Sequence, residues 1–226
     1  MKHRATGCFW IAILAGITFS CQTVSTEEQG RRWTVRPAGT LLSIDEMRND
    51  AFTLHQQLRF SFAERVGKID SVIQKNCDSL DVVGLGPFNT RIFTLQQVAR
   101  AVEYEPKNLE KWPFPPLHIL LDIHRVYLYP LPISPPPDGV YETEVADMLV
   151  TEHWKAGRLR QRILSSPAGQ QPERIMIDYV GGLVRDEAPP FIVLEDERRQ
   201  YRLELETLSF STQECAKLGD RTDRLR

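Results

Sequence analysis

Ser43-Ile-Asp-Glu-Met-Arg-Asn-Asp-Ala-Phe-Thr-Leu-His-Gln-Gln-Leu-Arg-Phe-Ser-Phe-Ala-Glu-Arg-Val-Gly-Lys-Ile-Asp-Ser-Val-Ile-Gln-Lys75 is the stretch whose periodicity decides the fold reading. Ser43 precedes Glu46 by three residues, the capping-box spacing in which each side chain can reach the other's backbone. Apolar residues follow at Ile44, Met47, Ala51, Leu54, Leu58, Phe62, Val66, Ile69 and Ile73, so that eight intervals span 29 residues. The mean spacing of about 3.6 is that of a straight α-helix, whereas a coiled coil holds about 3.5. Asp45, Glu46 and Asp50 near the start and Lys75 at the end suit the helix dipole. The spacing therefore predicts a long amphipathic helix packed on its own domain. A structural oligomer built through this helix is the alternative, because about 30 residues is long for a globular helix.

Downstream segments complete the expectation. Val82-Val-Gly-Leu-Gly-Pro87 reads as a turn and lacks the third Gly and the Lys of a phosphate loop. A short helix fits Leu95, Val98, Ala101 and Val102. Trp112-Pro-Phe-Pro-Pro116 interrupts regular structure. From Leu117 to Tyr129 the pattern alternates, with Leu117, Ile119, Leu121 and Ile123 on one side and His118, Asp122 and His124 on the other, which predicts a strand. Val145–Leu164 reads as a second helix, with a strand near Met148–Val150 as the alternative, and Arg174–Val180 as a strand ending at Gly181-Gly182. Phe191–Leu194 and Tyr201–Leu208 read as a hairpin around Asp196–Arg199. Together these predict an α+β fold, a long N-terminal amphipathic helix packed on a mainly antiparallel sheet, in a single domain over residues 43–212 with a polar tail at 213–226.

Composition bounds the function. The chain has 226 residues, 42% apolar and 26% charged, ordinary for a globular protein. A formal charge of −2 leaves no electrostatic footprint for nucleic acid. Lys2, His3 and Arg4 precede an uncharged apolar run of 12 residues, Cys8 to Phe19. That run falls short of the ~20 residues of a membrane-spanning helix and has the length of a signal-peptide core.

The run ends in Ile17-Thr18-Phe19-Ser20-Cys21. This resembles the lipobox of bacterial lipoproteins, a small residue before a Cys. The resemblance covers residues 1–21. It implies cleavage of a signal peptide over residues 1–20, acylation of Cys21 with chains such as palmitate, and a membrane partner reached through the lipid. Gln22 after the Cys implies the outer membrane by the sorting rule of that class. The alternative is an ordinary signal peptide cut near the same place, leaving a secreted or periplasmic protein. Polar residues continue to about Thr40, so 21–42 reads as the lipidated Cys and a flexible tether. Cys77 and Cys215 remain in the exported part, an even pair suited to a disulfide in an oxidising compartment.

The residues that could carry chemistry are few. His118, Asp122 and His124 share one face of the expected strand, and His153, beside Glu152, can add a ligand from the second helix. Two imidazoles and a carboxylate can hold zinc with a position open for water. However, His118 and His124 would lie about 20 Å apart on an extended strand. No metal or cofactor is therefore assigned, and a metal-dependent exported enzyme stays the alternative. The Gly-x-Ser-x-Gly nucleophile motif is absent from the sequence. The reading is an envelope lipoprotein with a non-enzymatic binding or assembly-accessory domain, whose partners are the membrane and another envelope protein.

Overall fold

The computed structural model describes residues 33–35, 41–47, 50–62, 65–106, 116–166 and 174–213. Its strands are β1 (Trp33–Val35), β2 (Ala51–Phe62), β3 (Arg65–Lys75), β4 (Ser79–Leu85), β5 (Arg91–Val98), β6 (Ala101–Pro106), β7 (Gly139–Val145), β8 (Met148–Lys155), β9 (Arg158–Ser165), β10 (Arg174–Leu183), β11 (Phe191–Asp196) and β12 (Tyr201–Gln213). They form one sheet in the order β1-β6-β5-β4-β3-β2-β12-β11-β10-β9-β8-β7. Two runs of hairpins thus meet where β2 pairs with β12, from Phe62 opposite Tyr201 to Ala51 opposite Gln213. Between the runs lies α1 (Pro116–Ile123), which continues through a π-helical turn at His124–Leu128.

The expected α+β fold with a long N-terminal helix is overturned. Residues 43–75 form a single 3-10 turn at Ile44–Glu46 and then the hairpin of β2 and β3. The Glu46 carboxylate does accept the Ser43 amide at 2.7 Å, so the cap forms but opens only that turn. The misleading period has a physical origin. Leu54 and Leu58, like Ile69 and Ile73, are four residues apart, a spacing that both a helix and a strand place on one face. The inward residues of β2 are Phe52, Leu54, Gln56, Leu58 and Phe60; those of β3 include Ile69, Ser71, Ile73 and Lys75. Gln56 and Ser71 are polar, and the inward set switches from even to odd across the hairpin, where Leu58 pairs with Ile69. Both features mask the alternation. Val66, assigned to the helical stripe, is 81% exposed.

Three further elements are corrected. The segment read as a strand from Leu117 to Tyr129 is helical to Leu128; its apolar residues from Leu120 onward are buried on every side, so no one-sided pattern is needed. Val145–Leu164 is the β8–β9 hairpin, turning at Ala156 and Gly157 with φ of 53° and 68°, the left-handed pair of a tight hairpin. Leu95–Val102 is split between β5 and β6. The hairpin around Asp196–Arg199 is found, as β11 and β12. The segment expected to be a tether contains β1, in which Trp33 pairs with Tyr104 of β6, and the buried Leu41 and Leu42. Cys21 and the tail beyond Gln213 lie outside the described residues.

Helix contacts show that the sheet curls. The His124 ring bonds Gln97 on β5, while the carbonyl of its chain neighbour Arg125 accepts from Arg162 on β9. Seven strand spacings separate β5 from β9 in the sheet order. On a flat sheet that is about 34 Å, at roughly 4.8 Å per strand. Consecutive helix residues can reach both only if the sheet wraps around them. Register shifts in β10, β12, β4 and β8 supply local bends. Glycines allow others: Phe60 and Phe93 lie across their cross-strand partners Gly67 and Gly84, where a Cβ would overlap the rings.

Gly84→Ala should therefore cost about 1–3 kcal/mol, since Phe93 is 1% exposed and cannot step aside. Gly139→Ala, where the nearest atom is 3.5 Å away, should stay within about 0.5 kcal/mol of the parent. Urea unfolding midpoints measure both, and equal midpoints would show that the ring does not need the glycine.

Candidate functional site

From Leu120 to Tyr129 the segment is buried throughout, so its polar groups need partners inside the sheet. His124 is 0% exposed. Its Nδ1 accepts the Leu42 amide at 3.3 Å and its Nε2 lies 2.8 Å from Gln97 Oε1, which fixes a neutral ring donating through Nε2. Gln97 spends its own amide on the carbonyls of Leu42 and Ala99. Burial, reinforced by the positive charge of Arg125, pushes the imidazole down to about 3.

Near its C-terminal end the helix has carbonyls left over by the π turn. Arg162 Nη1 donates to the Arg125 carbonyl at 2.6 Å, and the Tyr179 hydroxyl donates to Val126 at 3.0 Å. Glu152 holds Arg162 through Nε and Nη2 at 2.9 and 2.6 Å, and the guanidinium lies 5.5 Å from the centre of the Tyr129 ring. Glu152 is thus the counter-ion of a buried arginine rather than a metal ligand.

The opposite face of the helix borders a narrow cleft, partly open to solvent, whose free volume of about 20 Å³ is room for a water-sized group. Ile119, Asp122, Ile123, Val126 and Tyr127 form its helical wall, at the i, i+3, i+4, i+7, i+8 spacing of one face. Gln56, Leu58 and Phe60 of β2, Ile69 of β3, and Tyr201, Leu203 and Leu205 of β12 form the sheet wall. The lining is mainly apolar with a few placed polar groups, as in small-molecule sites, and a ligand larger than water would have to part the walls. Two such groups fasten the walls together. The Tyr127 hydroxyl donates to Gln56 Oε1 at 2.7 Å, and Gln56 Nε2 donates to Ser71 at 3.1 Å. At the other polar point Tyr201 hydrogen-bonds the Asp122 carboxyl.

Asp122 pairs with Arg125 at 3.3 Å, both about 6% exposed at the side chain. Burial lifts Asp122 to about 6, opposed by the charges of Arg125 and Arg199. Tyr201 is driven up by burial and by the neighbouring Asp122 charge. Asp196, also buried, binds Arg199 at 3.4 Å. Carboxylates and guanidiniums near the cleft are therefore matched one for one within 3.4 Å. Such a wall offers no spare counter-charge to an ionised ligand, and nothing in it is arranged as a nucleophile with a base.

The structure does not assemble the candidate metal set. His118 and Asp122 lie on α1, His124 is spent on Leu42 and Gln97, and His153 is on β8, on the strand face opposite Glu152. Among the described residues no three His, Cys, Asp or Glu side chains come together in a metal-holding group. Cys77, at the β3–β4 turn, is disulfide-bonded; its partner lies outside the described residues, as does Cys215. Sequence reasoning missed Gln56, Gln97, Arg162, Tyr127, Tyr179 and Tyr201. The available signal was a polar residue at an inward position of an otherwise apolar series: Gln56 among Phe52, Leu54, Leu58 and Phe60, and Gln97 after Phe93 and Leu95.

Residues 53–209 match the model of a family described as a protein of unknown function, DUF3261, and the chain belongs to that family. No curated protein matches it. Among solved structures, a LolA superfamily protein from Nitrosomonas europaea is 12% identical, with a TM-score of 0.41 over 79% of this chain and 92% of that one. A putative outer membrane lipoprotein-sorting protein domain from Vibrio parahaemolyticus is 7% identical, at 0.35 over 76% and 88%. MucB, solved in complex with MucA(peri), is 12% identical, at 0.35 over 76% and 53%. At these scores the likeness fixes neither a ligand nor a partner for this chain.

His124 makes folding pH-dependent. Its folded value of about 3 lies below the ordinary 6.5, so it contributes stability above pH 6.5 that is lost as pH falls through that window. Asp122 acts oppositely: raised to about 6 from 3.8, it contributes stability below pH 3.8 that is lost as pH rises through 6. The histidine shift is the larger. Between pH 6.5 and 4 the parent should lose on the order of 3 kcal/mol through His124. His124→Gln, whose amide can replace both ring hydrogen bonds, should lose correspondingly less over the same range in urea titrations. Parallel pH curves for the two proteins would refute this role.

Proposed function

We propose that this chain is a non-enzymatic binding domain of the bacterial cell envelope, anchored by lipid at Cys21, and that its ligand is an uncharged apolar chain or segment held in the cleft between α1 and strands β2, β3 and β12. The observation that carries the binding role is the apolar lining of the cleft, whose walls would part from their water-sized gap to admit the ligand. Apolar side chains line most of it, Gln56 and Tyr127 brace its walls, and its charges are already matched. An ionised group entering it would lose its hydration without gaining a partner, which disfavours charged ligands. The envelope assignment is supported by the basic start, the short apolar run and Ser20-Cys21. The anchor would keep the domain at a membrane surface, where apolar ligands concentrate.

Export also accounts for the oxidised state of Cys77, and we place Cys215 as its partner. Thr212 and Lys75 both pair with Phe52, from opposite sides of β2. Cys77 lies two residues beyond Lys75, and Cys215 follows Thr212 by three in sequence.

An apolar fluorescent probe such as N-phenyl-naphthylamine should bind the protein and be displaced by uncharged amphiphiles. Ile119→Trp, which projects into the cleft from the helix, should weaken probe binding about tenfold at a cost of about 1–3 kcal/mol in stability. Undiminished binding in that variant would place the ligand elsewhere. Intact mass of the protein isolated from membranes should show a chain beginning at an acylated Cys21. Non-reducing peptide mapping should join the peptides of Cys77 and Cys215; a soluble chain with an unmodified Cys21, or another cysteine joined to Cys77, would contradict the respective assignment.

A further inference from the structure

The β4–β5 turn, Gly86–Thr90, holds Phe88 with its side chain in water: the residue is 99% exposed. Its φ is 60° and that of Asn89 is 56°, left-handed values that suit glycine better than phenylalanine. The turn is nevertheless well fixed. The Gly86 amide donates to the Thr90 carbonyl at 2.8 Å, and the Thr90 amide and hydroxyl donate to the Pro87 carbonyl at 3.3 and 2.8 Å. A bulky phenyl is thus carried in an unfavourable backbone state with no packing inside the domain to compensate.

A second observation lies on the next hairpin at the same end of the sheet. Leu85, just before the turn, pairs near Asp70, and β3 begins at Arg65. Val66 is 81% exposed there. Arg59 and Lys68, both exposed, sit directly opposite each other across β2 and β3. Like charges in that position repel, and an external anion relieves the repulsion. Glu204, on the far side of Arg59, is engaged by Arg202 at 3.2 Å. Arg65 adds another exposed cation beside Val66. Phe60 and Tyr201 of the cleft lie near the turns of this same end, since Tyr201 pairs with Phe62.

We infer that this end of the domain docks on an anionic phospholipid surface, with Phe88 and Val66 entering the headgroup region and Arg59, Arg65 and Lys68 meeting lipid phosphates. Aromatic side chains favour that interface, and nearby cations add attraction to anionic lipid. The inference goes beyond the cleft reading and does not require any ligand in the cleft. It would place the cleft close to the bilayer.

The test uses the full chain as isolated from membranes. An environment-sensitive dye is attached at Phe88→Cys or, as a reference, at Ile133→Cys, which is 85% exposed in the segment between the helix and β7. Each protein is placed in vesicles of phosphatidylethanolamine and phosphatidylglycerol, or of phosphatidylcholine alone, containing headgroup-level doxyl lipid. In the anionic vesicles the dye at position 88 should shift to the blue and be quenched at least about twofold more than the dye at 133. Lys68→Glu should reduce that excess. Phe88→Gly, which suits the turn's φ, should fold normally and leave neighbouring dyes at the tip of the hairpin more water-exposed. Equal quenching at the two positions overturns the proposal. So does a dye at 88 that stays wet in both vesicles but is shielded when envelope proteins are added, which would assign this end to a protein partner. Failure of probe binding in the cleft leaves the inference untouched, so the two readings fail separately.

Discussion

A helix enclosed by a sheet must find partners for its polar groups without help from bulk water, and that constraint organises the molecule. Unpaired amides and carbonyls in such a place cost more than most packing contacts contribute. The chain meets the demand with side chains sent inward from distant strands. Gln97 meets the helix on β5, Gln56 on β2, Arg162 on β9 and Tyr179 on β10. These bonds come from strands far apart in the sheet order, and they hold only while the sheet is curled. Core packing and polar satisfaction therefore specify the same arrangement. Removing one inward polar group leaves its partner buried and unsatisfied, and that penalty exceeds the net worth of the bond.

The cleft follows from the same geometry. One face of the helix is drawn tightly to β5, β9 and β10. The other is held off β2, β3 and β12 by the Tyr127–Gln56 and Tyr201–Asp122 contacts. Aliphatic walls line the remaining space. Because Asp122, Arg125, Asp196 and Arg199 neutralise one another, the cleft's selectivity would come from shape and apolarity rather than from charge.

The legible parts of the sequence were those in which one rule acted alone. Phe191–Leu194 and Tyr201–Leu208 alternate cleanly, and they form the hairpin expected of them. The β2–β3 hairpin was obscured by the groups that secure the helix. Gln56 and Ser71 interrupt the inward apolar series, and four-residue spacings at Leu54–Leu58 and Ile69–Ile73 satisfy two periods at once. The helix was obscured for the opposite reason, since burial on all sides removes the polar stripe that would reveal its 3.6 period. Asp122 and His124 stood out as residue types that carry chemistry. Their role depends on Arg125, Gln97 and Leu42, whose proximity only the curled sheet creates. The N-terminal reading rests on sequence, and its segment lies outside the described residues.

Methyl NMR of protein labelled at Ile, Leu and Val, titrated with an uncharged single-chain amphiphile below its micelle concentration, tests the central claim most directly. The account predicts shifts confined to the cleft methyls of Leu58, Ile69, Ile119, Ile123 and Leu203, with the fully buried Leu80, Val82 and Leu159 unmoved. Shifts at Leu80, Val82 and Leu159 instead, or no saturable shift at any cleft methyl, would contradict it.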